Sequence, residues 1–324
     1  MEYRRAVKIL KAKIGLISNK EELIKFKKGE IADLATDFHK LKKMDFTSNL
    51  DGYFYIIDED TEPRIQFDAN RVVATGNFLK LEEEAKDNRF FLLGNEGLFY
   101  RFVLKILEDK FNIFSFHACS LFDEETGQLF IICGGAGSGK TAFILKGIEV
   151  GLKIFSTEMS HFNPHSPGRL KFYKGSLLDN IRIANLKYDY SKIYETLKLN
   201  LSEVEDEWGT KIAVDLSQYQ TLFDQLDDPE IVLVFPHIEE EKKDSIVREV
   251  KNKSLLCKLL FDNLSEKIGE TILLYEKVPV AGLDSSFSLR KRLEAVDEFI
   301  EYARLKRAIR VIAGTKNCLK GVKE

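Results

Sequence analysis

A run of glycines followed by lysine and threonine is the feature of this sequence whose residue types and spacing can do chemistry. It matches the pattern G-x-x-x-x-G-K-[ST] in full and consists of Gly134, Gly135, Ala136, Gly137, Ser138, Gly139, Lys140 and Thr141. Glycines let the backbone curl so that successive N–H groups point at phosphate oxygens. In such a loop the lysine reaches the β- and γ-phosphates and the threonine hydroxyl ligates Mg²⁺. The pattern therefore predicts a site for ATP, or another nucleoside triphosphate, together with Mg²⁺.

The segments on either side of the loop agree with this interpretation. The apolar run QLFIIC (128–133) is strand-like and leads directly into Gly134, and TAFILKGIEVG (141–151) predicts a helix closed by Gly151. The N-terminus of that helix adds the positive end of its dipole to the loop. A glycine-rich turn that binds nothing is the alternative, and the strand before and the helix after favour the nucleotide site.

A second strand is predicted just before the loop. FSFHACSLF (114–122) is followed by a short turn containing Gly127, which favours a hairpin and hence an antiparallel partner for 128–133. Conventional P-loop NTPases instead place the loop in a parallel sheet and use a second strand ending in Asp to hold Mg²⁺. The best match to that second strand is IAVD, which ends at Asp215, although Asp215 also suits a helix cap.

The segment from His117 to Glu158 resembles HPr kinase/phosphorylase and its relatives, which share the nucleotide-binding core of phosphoenolpyruvate carboxykinase. Those proteins show a strand with His-Ala or His-Gly, a hairpin turn, an apolar strand into the P-loop, a helix, then Gly and a strand ending in Ser/Ala-Asp-Asp. The counterparts here are His117-Ala118, the loop at 134–141 and Gly151 to Glu158. The resemblance implies Mg²⁺-dependent phosphoryl transfer from ATP to a small-molecule or protein acceptor.

The resemblance also implies roles for single residues. Lys140 and Thr141 match the phosphate and metal ligands, and Glu158 matches the second acid of the family pair, whose carboxylate can serve Mg²⁺. His117 matches the family histidine and is expected near the γ-phosphate; a strand histidine satisfied by a neighbour is the alternative. Thr157 takes the place of the first acid and departs from the pattern, because in that family an acid of the pair accepts the proton of the attacked hydroxyl, which threonine cannot do. Either Glu158 is both the metal ligand and the general base, or another group supplies the base, or phosphoryl transfer to a hydroxyl is not the reaction.

Hydrophobic periodicity and turn residues predict the elements that must position these groups. Helices are expected at 20–45, 95–110 and 288–310. Short strands are expected at 52–58, 64–67, 71–75, 77–81, 89–93, 153–158, 211–216, 230–238 and 271–278. The fold class is α/β, with an α+β mixed sheet: a phosphoenolpyruvate carboxykinase-like P-loop core at 106–324 and an N-terminal mixed α+β region at 1–105.

Composition sets further limits. The 324 residues are 44% hydrophobic and 31% charged with a net charge of −3, which is typical of a globular protein and does not indicate a nucleic-acid partner. The four cysteines lack CxxC spacing, so no zinc site or disulfide framework is indicated. Without a signal-peptide pattern or an apolar run of membrane-spanning length, a soluble cytoplasmic protein with no membrane partner is expected. HPr kinases form hexamers, so a homo-oligomer is a possible state, although the interface-forming segments are not recognisable.

Weaker candidates lie outside the loop. His161 and His165 follow Glu158 in what the sequence predicts to be a loop, and Lys174-Gly175-Ser176 is a loose counterpart of the Arg-Gly segment in the family signature. Arg292, at the start of the last predicted helix, has a side chain long enough to reach phosphate. Three functions remain open: a kinase, a nucleotide-binding regulator that has lost the base, and a conventional ATPase that uses Asp215.

Overall fold

The computed structural model describes residues 2–26, 38–39, 41–47, 49–165, 168–199, 204–239 and 242–323. Helices and strands mix along the chain, and the larger sheets contain parallel and antiparallel pairs, so the protein is of a mixed α/β class. The strands up to residue 111 are β1 (Tyr3–Ile9), β2 (Ala12–Ser18), β3 (Lys42–Met44), β4 (Gly52–Asp58), β5 (Arg64–Asp68) and β6 (Arg71–Gly76). The α-helices of this stretch are α1 (Phe78–Glu84) and α2 (Leu98–Phe111).

The rest of the chain carries further strands and helices. Its strands are β7 (Phe114–Asp123), β8 (Gln128–Cys133), β9 (Lys153–Ser156), β10 (Met159–His165), β11 (Arg169–Tyr173), β12 (Leu178–Arg182), β13 (Lys211–Asp215), β14 (Gln225–Asp227), β15 (Glu230–Ile238), β16 (Ile246–Glu249), β17 (Ile272–Leu274), β18 (Val278–Val280) and β19 (Arg304–Ala313). Its α-helices are α3 (Lys140–Glu149), α4 (Ser191–Leu197), α5 (Lys253–Gly269) and α6 (Ser286–Tyr302). None of the helices in the described ranges has the length and apolarity needed to cross a membrane.

The chain divides into two compact units. The first comprises Met1–Phe114 and Ser265–Arg292, and the second comprises Ser115–Leu264 and Leu293–Glu324. The boundary predicted between 105 and 106 falls inside α2, and the first unit takes in a stretch that the sequence assigns to the C-terminal domain.

A mixed sheet in the order β3-β1-β2-β4-β6-β5 forms the first unit, with β2, β4 and β6 parallel to one another. Alternate residues of its central strands are buried, including Phe54 on β4 and Val72 on β6, as expected for a strand with one face on the core. Helix α2 packs on that face. The centroid of the Phe54 ring lies 5.4 Å from that of Phe99 and 5.9 Å from that of Phe102, both on α2.

A buried charge network also holds the first unit together. Arg292 of α6 has no exposed surface, and its Nε donates to both carboxylate oxygens of Glu108 at 3.0 and 2.9 Å. Its Nη1 donates to Asp284 Oδ2 at 2.8 Å. The arginine is thus committed to two carboxylates within its own unit, and the sequence-based suggestion that it reaches phosphate is wrong.

The second unit is built on a sheet ordered β14-β11-β10-β7-β8-β15-β19-β16, with β9 paired to β7. Strands β8, β15 and β19 run parallel, whereas β7 is antiparallel to β8. Every residue of β7 and β8 is buried, as expected for central strands covered on both faces. Phe143 and Ile144 of α3 belong to the same apolar cluster as Ile132 of β8, which fixes the helix against the strand that precedes it.

Several predicted elements are wrong, and burial explains why. Residues 77–81 form the start of α1, since Phe78 and Leu81 are buried three positions apart, a helical rather than a strand spacing. Residues 89–93, predicted as a strand, instead contain the 3-10 turn Asn88–Phe90.

Two C-terminal predictions fail in part, and the N-terminal helix only partly overlaps the described chain. The predicted strand 271–278 divides into the hairpin of β17 and β18. The predicted helix 288–310 ends at Tyr302 and is followed by β19, whose register is set by parallel pairing with β15.

Of the helix predicted at 20–45, residues 27–37 and 40 lie outside the described residues, and the flanking parts are the 3-10 turn Glu22–Ile24 and β3.

Arg292→Leu should destabilise the protein by about 3–5 kcal/mol, because it leaves the buried carboxylate of Glu108 and the partly buried carboxylate of Asp284 without their cation. Urea unfolding followed by circular dichroism measures the loss. Arg290→Ala is the matched control, since Arg290 is an exposed residue of the same helix; it should change the unfolding free energy by no more than about 0.5 kcal/mol. Equal effects of the two substitutions would contradict the buried network.

Candidate functional site

The loop begins where β8 ends and stops where α3 begins. It runs over residues 134–139, and Gly139 has a φ of +100° immediately before the first helical residue, Lys140. A Cβ added at Gly139 would lie 2.1 Å from Ile238 Cγ1, so the position excludes any side chain on steric grounds as well as by its backbone conformation. The strand, loop and helix follow each other as the motif predicts.

Backbone pairing of β7 with β8 fixes the start of the loop. The register runs from Ala118 opposite Cys133 to Asp123 opposite Gln128, which confirms the predicted hairpin. The carbonyl of His117 accepts hydrogen bonds from Gly134 N at 3.1 Å and from the Asn263 side-chain amide at 3.0 Å. Strand β7 therefore holds both His117 and the first glycine of the loop in place.

Lys140 folds over the loop and is 8% exposed. Its ammonium donates to Gly134 O at 2.8 Å and Gly135 O at 3.3 Å, and it lies 3.0 Å from His117 Nε2. Because a lysine ammonium only donates, the Nε2 of His117 is the acceptor in this contact, which assigns the ring proton to Nδ1. His117 thus lies beside the lysine that the motif assigns to the β- and γ-phosphates.

Glu158 lies in the bend between β9 and β10, on the same side as these two groups. Its Oε2 is 3.9 Å from Lys140 Nζ and 3.8 Å from His117 Nε2. The side chain is a quarter exposed, so one carboxylate borders both the loop and solvent. Lys140, His117 and Glu158 form one cluster, although they are far apart in the sequence.

Asp179 is the site residue that the sequence interpretation missed. It is the second residue of β12, is 2% exposed, and accepts a hydrogen bond from the Thr141 hydroxyl. Burial raises the pKa of the Asp179 carboxyl to about 7, and the negative charge of Glu158 adds to the rise. The hydrogen bond from Thr141 and the charge of Lys140 act in the opposite direction. No motif surrounds Asp179 in the sequence, and the distance along the chain gives no sign that it meets the loop.

Thr157 points away from this cluster. It is buried, its N–H donates to Ser176 O at 2.9 Å, and its hydroxyl lies 3.1 Å from the same carbonyl and also contacts Leu178 O. Position 157 thus holds the connection between β11 and β12, the segment that leads into Asp179. Thr157 therefore has a packing and hydrogen-bonding role.

Other candidates from the sequence have structural partners elsewhere. His161 lies on β10, not in a loop as predicted, and its Nδ1 is 2.8 Å from Ser115 Oγ in the core. The side chain of His165 lies outside the described part of the chain. Lys174 is buried and donates to Thr221 O at 2.6 Å.

Asp215 does not share a sheet with the loop. It ends β13, which pairs with β12 in a separate two-stranded sheet, and its Oδ1 accepts from Ser217 N at 2.8 Å. The carboxylate is exposed and closes a turn, in keeping with the capping alternative. The geometry of a Walker B acid is not present at this residue.

The donor set around the loop suits a hard cation. Within the described ranges no three His, Cys, Asp or Glu side chains gather as a metal cluster. The Thr141 hydroxyl with the Glu158 and Asp179 carboxylates instead presents oxygen donors alone, the type that Mg²⁺ prefers, and Mg²⁺ at such sites completes its shell with phosphate oxygens and water.

Comparison with known protein families and with curated proteins finds no match to this chain. The geometry around the loop at 134–141 is therefore the basis for assigning a function.

Thr157→Val should destabilise the protein by about 0.5–1.5 kcal/mol, because the isosteric change removes a buried hydroxyl that donates into the β11–β12 connection. The midpoint of urea unfolding reports the change. Thr196→Val is the control, since Thr196 is exposed on α4 and its hydroxyl also donates to a carbonyl, that of Lys192, at 2.7 Å. If both variants unfold at the same urea concentration, the buried hydroxyl does not hold this connection.

Proposed function

We propose that this protein binds Mg²⁺ and ATP, or another nucleoside triphosphate, at the loop 134–141 and transfers the γ-phosphoryl group to a small-molecule or protein acceptor. The observation that carries the proposal is the cluster around the loop: the Lys140 ammonium lies within 4 Å of both His117 and Glu158 at the N-terminus of α3. The fold proposed for the second unit is the phosphoenolpyruvate carboxykinase-like core of the HPr kinase family. The antiparallel hairpin of β7 and β8 that leads into the loop supports it.

The position of the loop supports the proposed phosphate binding. Backbone N–H groups at the N-terminus of α3 and the helix dipole favour an anion there. Lys140 now donates to the carbonyls of Gly134 and Gly135, and phosphate oxygens are stronger acceptors for an ammonium group. Binding of a triphosphate would therefore turn the lysine from its own loop to the ligand.

Thr141 and Glu158 are the residues proposed to hold Mg²⁺. An ion held there would supply positive charge that offsets the negative charge developing during transfer. In the proposed reaction the acceptor hydroxyl oxygen bonds to the γ-phosphorus, the bond to the β–γ bridging oxygen breaks, and the nucleoside diphosphate leaves. The hydroxyl proton is assigned to Glu158, because Thr157 has no carboxylate and the Glu158 carboxylate borders both the loop and solvent.

A nucleotide-binding regulator is the second candidate. The departure at Thr157 favours it, because the side chain faces the β11–β12 connection and cannot accept a proton from a substrate. Such a protein would bind nucleotide with the same loop and change its partner interactions rather than transfer phosphate.

Incubation with γ-labelled ATP, Mg²⁺ and a panel of hydroxyl acceptors separates the two candidates. We expect transfer by the natural protein and a loss of about 10²-fold or more in Lys140→Ala, because the main positive charge on the phosphates is removed. Lys146→Ala is the control on the same helix, where Lys146 pairs with Glu149 at the surface; it should retain transfer. ATP binding without transfer to any acceptor would favour the regulator, and absence of ATP binding would refute both.

Glu158→Gln should reduce Mg²⁺-dependent turnover while the protein still folds, since the amide keeps the shape and removes the charge. Glu149→Gln, at the last turn of α3, is the matched control. Titration of ATP in the presence of Mg²⁺ and single-turnover transfer measure binding and chemistry separately. Unchanged binding and turnover in Glu158→Gln would show that Glu158 has neither proposed role.

A further inference from the structure

The position at which Asp179 meets the loop has the features of a ligand site. The carboxylate is almost fully buried, and its Oδ2 has no hydrogen-bond partner among the described residues. An unsatisfied oxygen in a buried carboxylate costs free energy unless a ligand or a cation satisfies it. Its neighbour on one side is the Thr141 hydroxyl, the group that the motif assigns to Mg²⁺.

The charges at this position also point to a cation. Glu158 lies close to Asp179, so two carboxylates repel each other at a position where one of them is buried. Lys140 attracts both but is committed to His117 and the loop carbonyls. A divalent cation among Thr141, Glu158 and Asp179 would remove this repulsion.

The backbone explains how an acid from β12 reaches the loop. Thr157 N donates to Ser176 O, and Gly175 N donates to Phe155 O at 3.1 Å, so the segment before β12 is tied to the end of β9. A Cβ at Gly175 would lie 2.3 Å from Met159 O, which shows how closely the two segments approach. Thr157, which stands where an acid was expected, therefore holds in place the segment that carries Asp179.

We propose that Asp179 is a ligand of the Mg²⁺ bound with the nucleotide, and that it takes the place of the acid absent at position 157. This inference rests on the proposed nucleotide binding. It gives the site two carboxylates of different origin: Glu158 from the bend after β9 and Asp179 from β12. Asp215, the Walker B candidate from the sequence, lies on β13. It pairs with Leu178 of β12, the residue just before Asp179.

Calorimetric titration of ATP at a series of Mg²⁺ concentrations, and separately in EDTA, tests the proposal with Asp179→Asn. We expect the Mg²⁺ concentration for half-maximal enhancement of ATP binding to rise about 10–100-fold, the effect typical of altered metal surroundings. ATP affinity in EDTA should stay within about threefold of the natural protein, because the loop and Lys140 are intact. Asp179→Glu should restore part of the Mg²⁺ dependence, and Asp215→Asn, on the paired strand, should change neither.

Thermal unfolding in EDTA separates a ligand from a structural residue. Asp179→Asn should unfold at the same or a higher temperature, because it removes a buried negative charge that lies near the carboxylate of Glu158. A lower unfolding temperature together with equally weakened ATP binding in EDTA and in Mg²⁺ would assign Asp179 a structural role and overturn the inference. If the Mg²⁺ dependence of ATP binding is unaltered in Asp179→Asn, Asp179 is not a metal ligand, although the proposed nucleotide binding would be retained. Failure of the natural protein to bind ATP under either condition would refute the proposed function, and the inference with it.

Discussion

The antiparallel pairing of β7 with β8 is the constraint on which the site depends. It brings the carbonyl of His117 to the N–H of Gly134, so that the strand carrying the histidine also fixes where the loop starts. Lys140 is then held against His117 and the loop carbonyls rather than in solvent. A parallel neighbour at this position would place a different side chain beside the lysine, and the cluster with Glu158 would not form.

Electrostatics in this cluster oppose stability when no ligand is bound. Two carboxylates and an ammonium group lie in a largely buried region, and the oxygens of Asp179 are not fully satisfied. The Arg292 network of the first unit shows the contrasting case, in which a buried arginine is surrounded by two carboxylates that it bonds directly. Buried charge that is fully paired serves the fold, whereas buried charge that is incompletely paired is common at functional sites.

The two carboxylates have different positions and suit different tasks in the proposed reaction. Glu158 borders solvent and lies near Lys140 and His117, whereas Asp179 is buried beside Thr141. Metal binding by Asp179 would leave Glu158 freer to accept a proton from an acceptor. The departure at Thr157 then does not by itself argue against phosphoryl transfer.

The sequence alone determined the loop and its immediate surroundings, because strand, glycine turn and helix are set by residues next to each other in the chain. It also determined the hairpin that contains His117, since a short turn forces the two strands to pair. Only the tertiary structure decided that Asp179 meets the loop, because hydrogen bonds between segments distant in sequence bring it there. It likewise decided that 304–313 is a strand, since pairing with β15 overrides a helical pattern of apolar residues, and local periodicity carries no information about that partner.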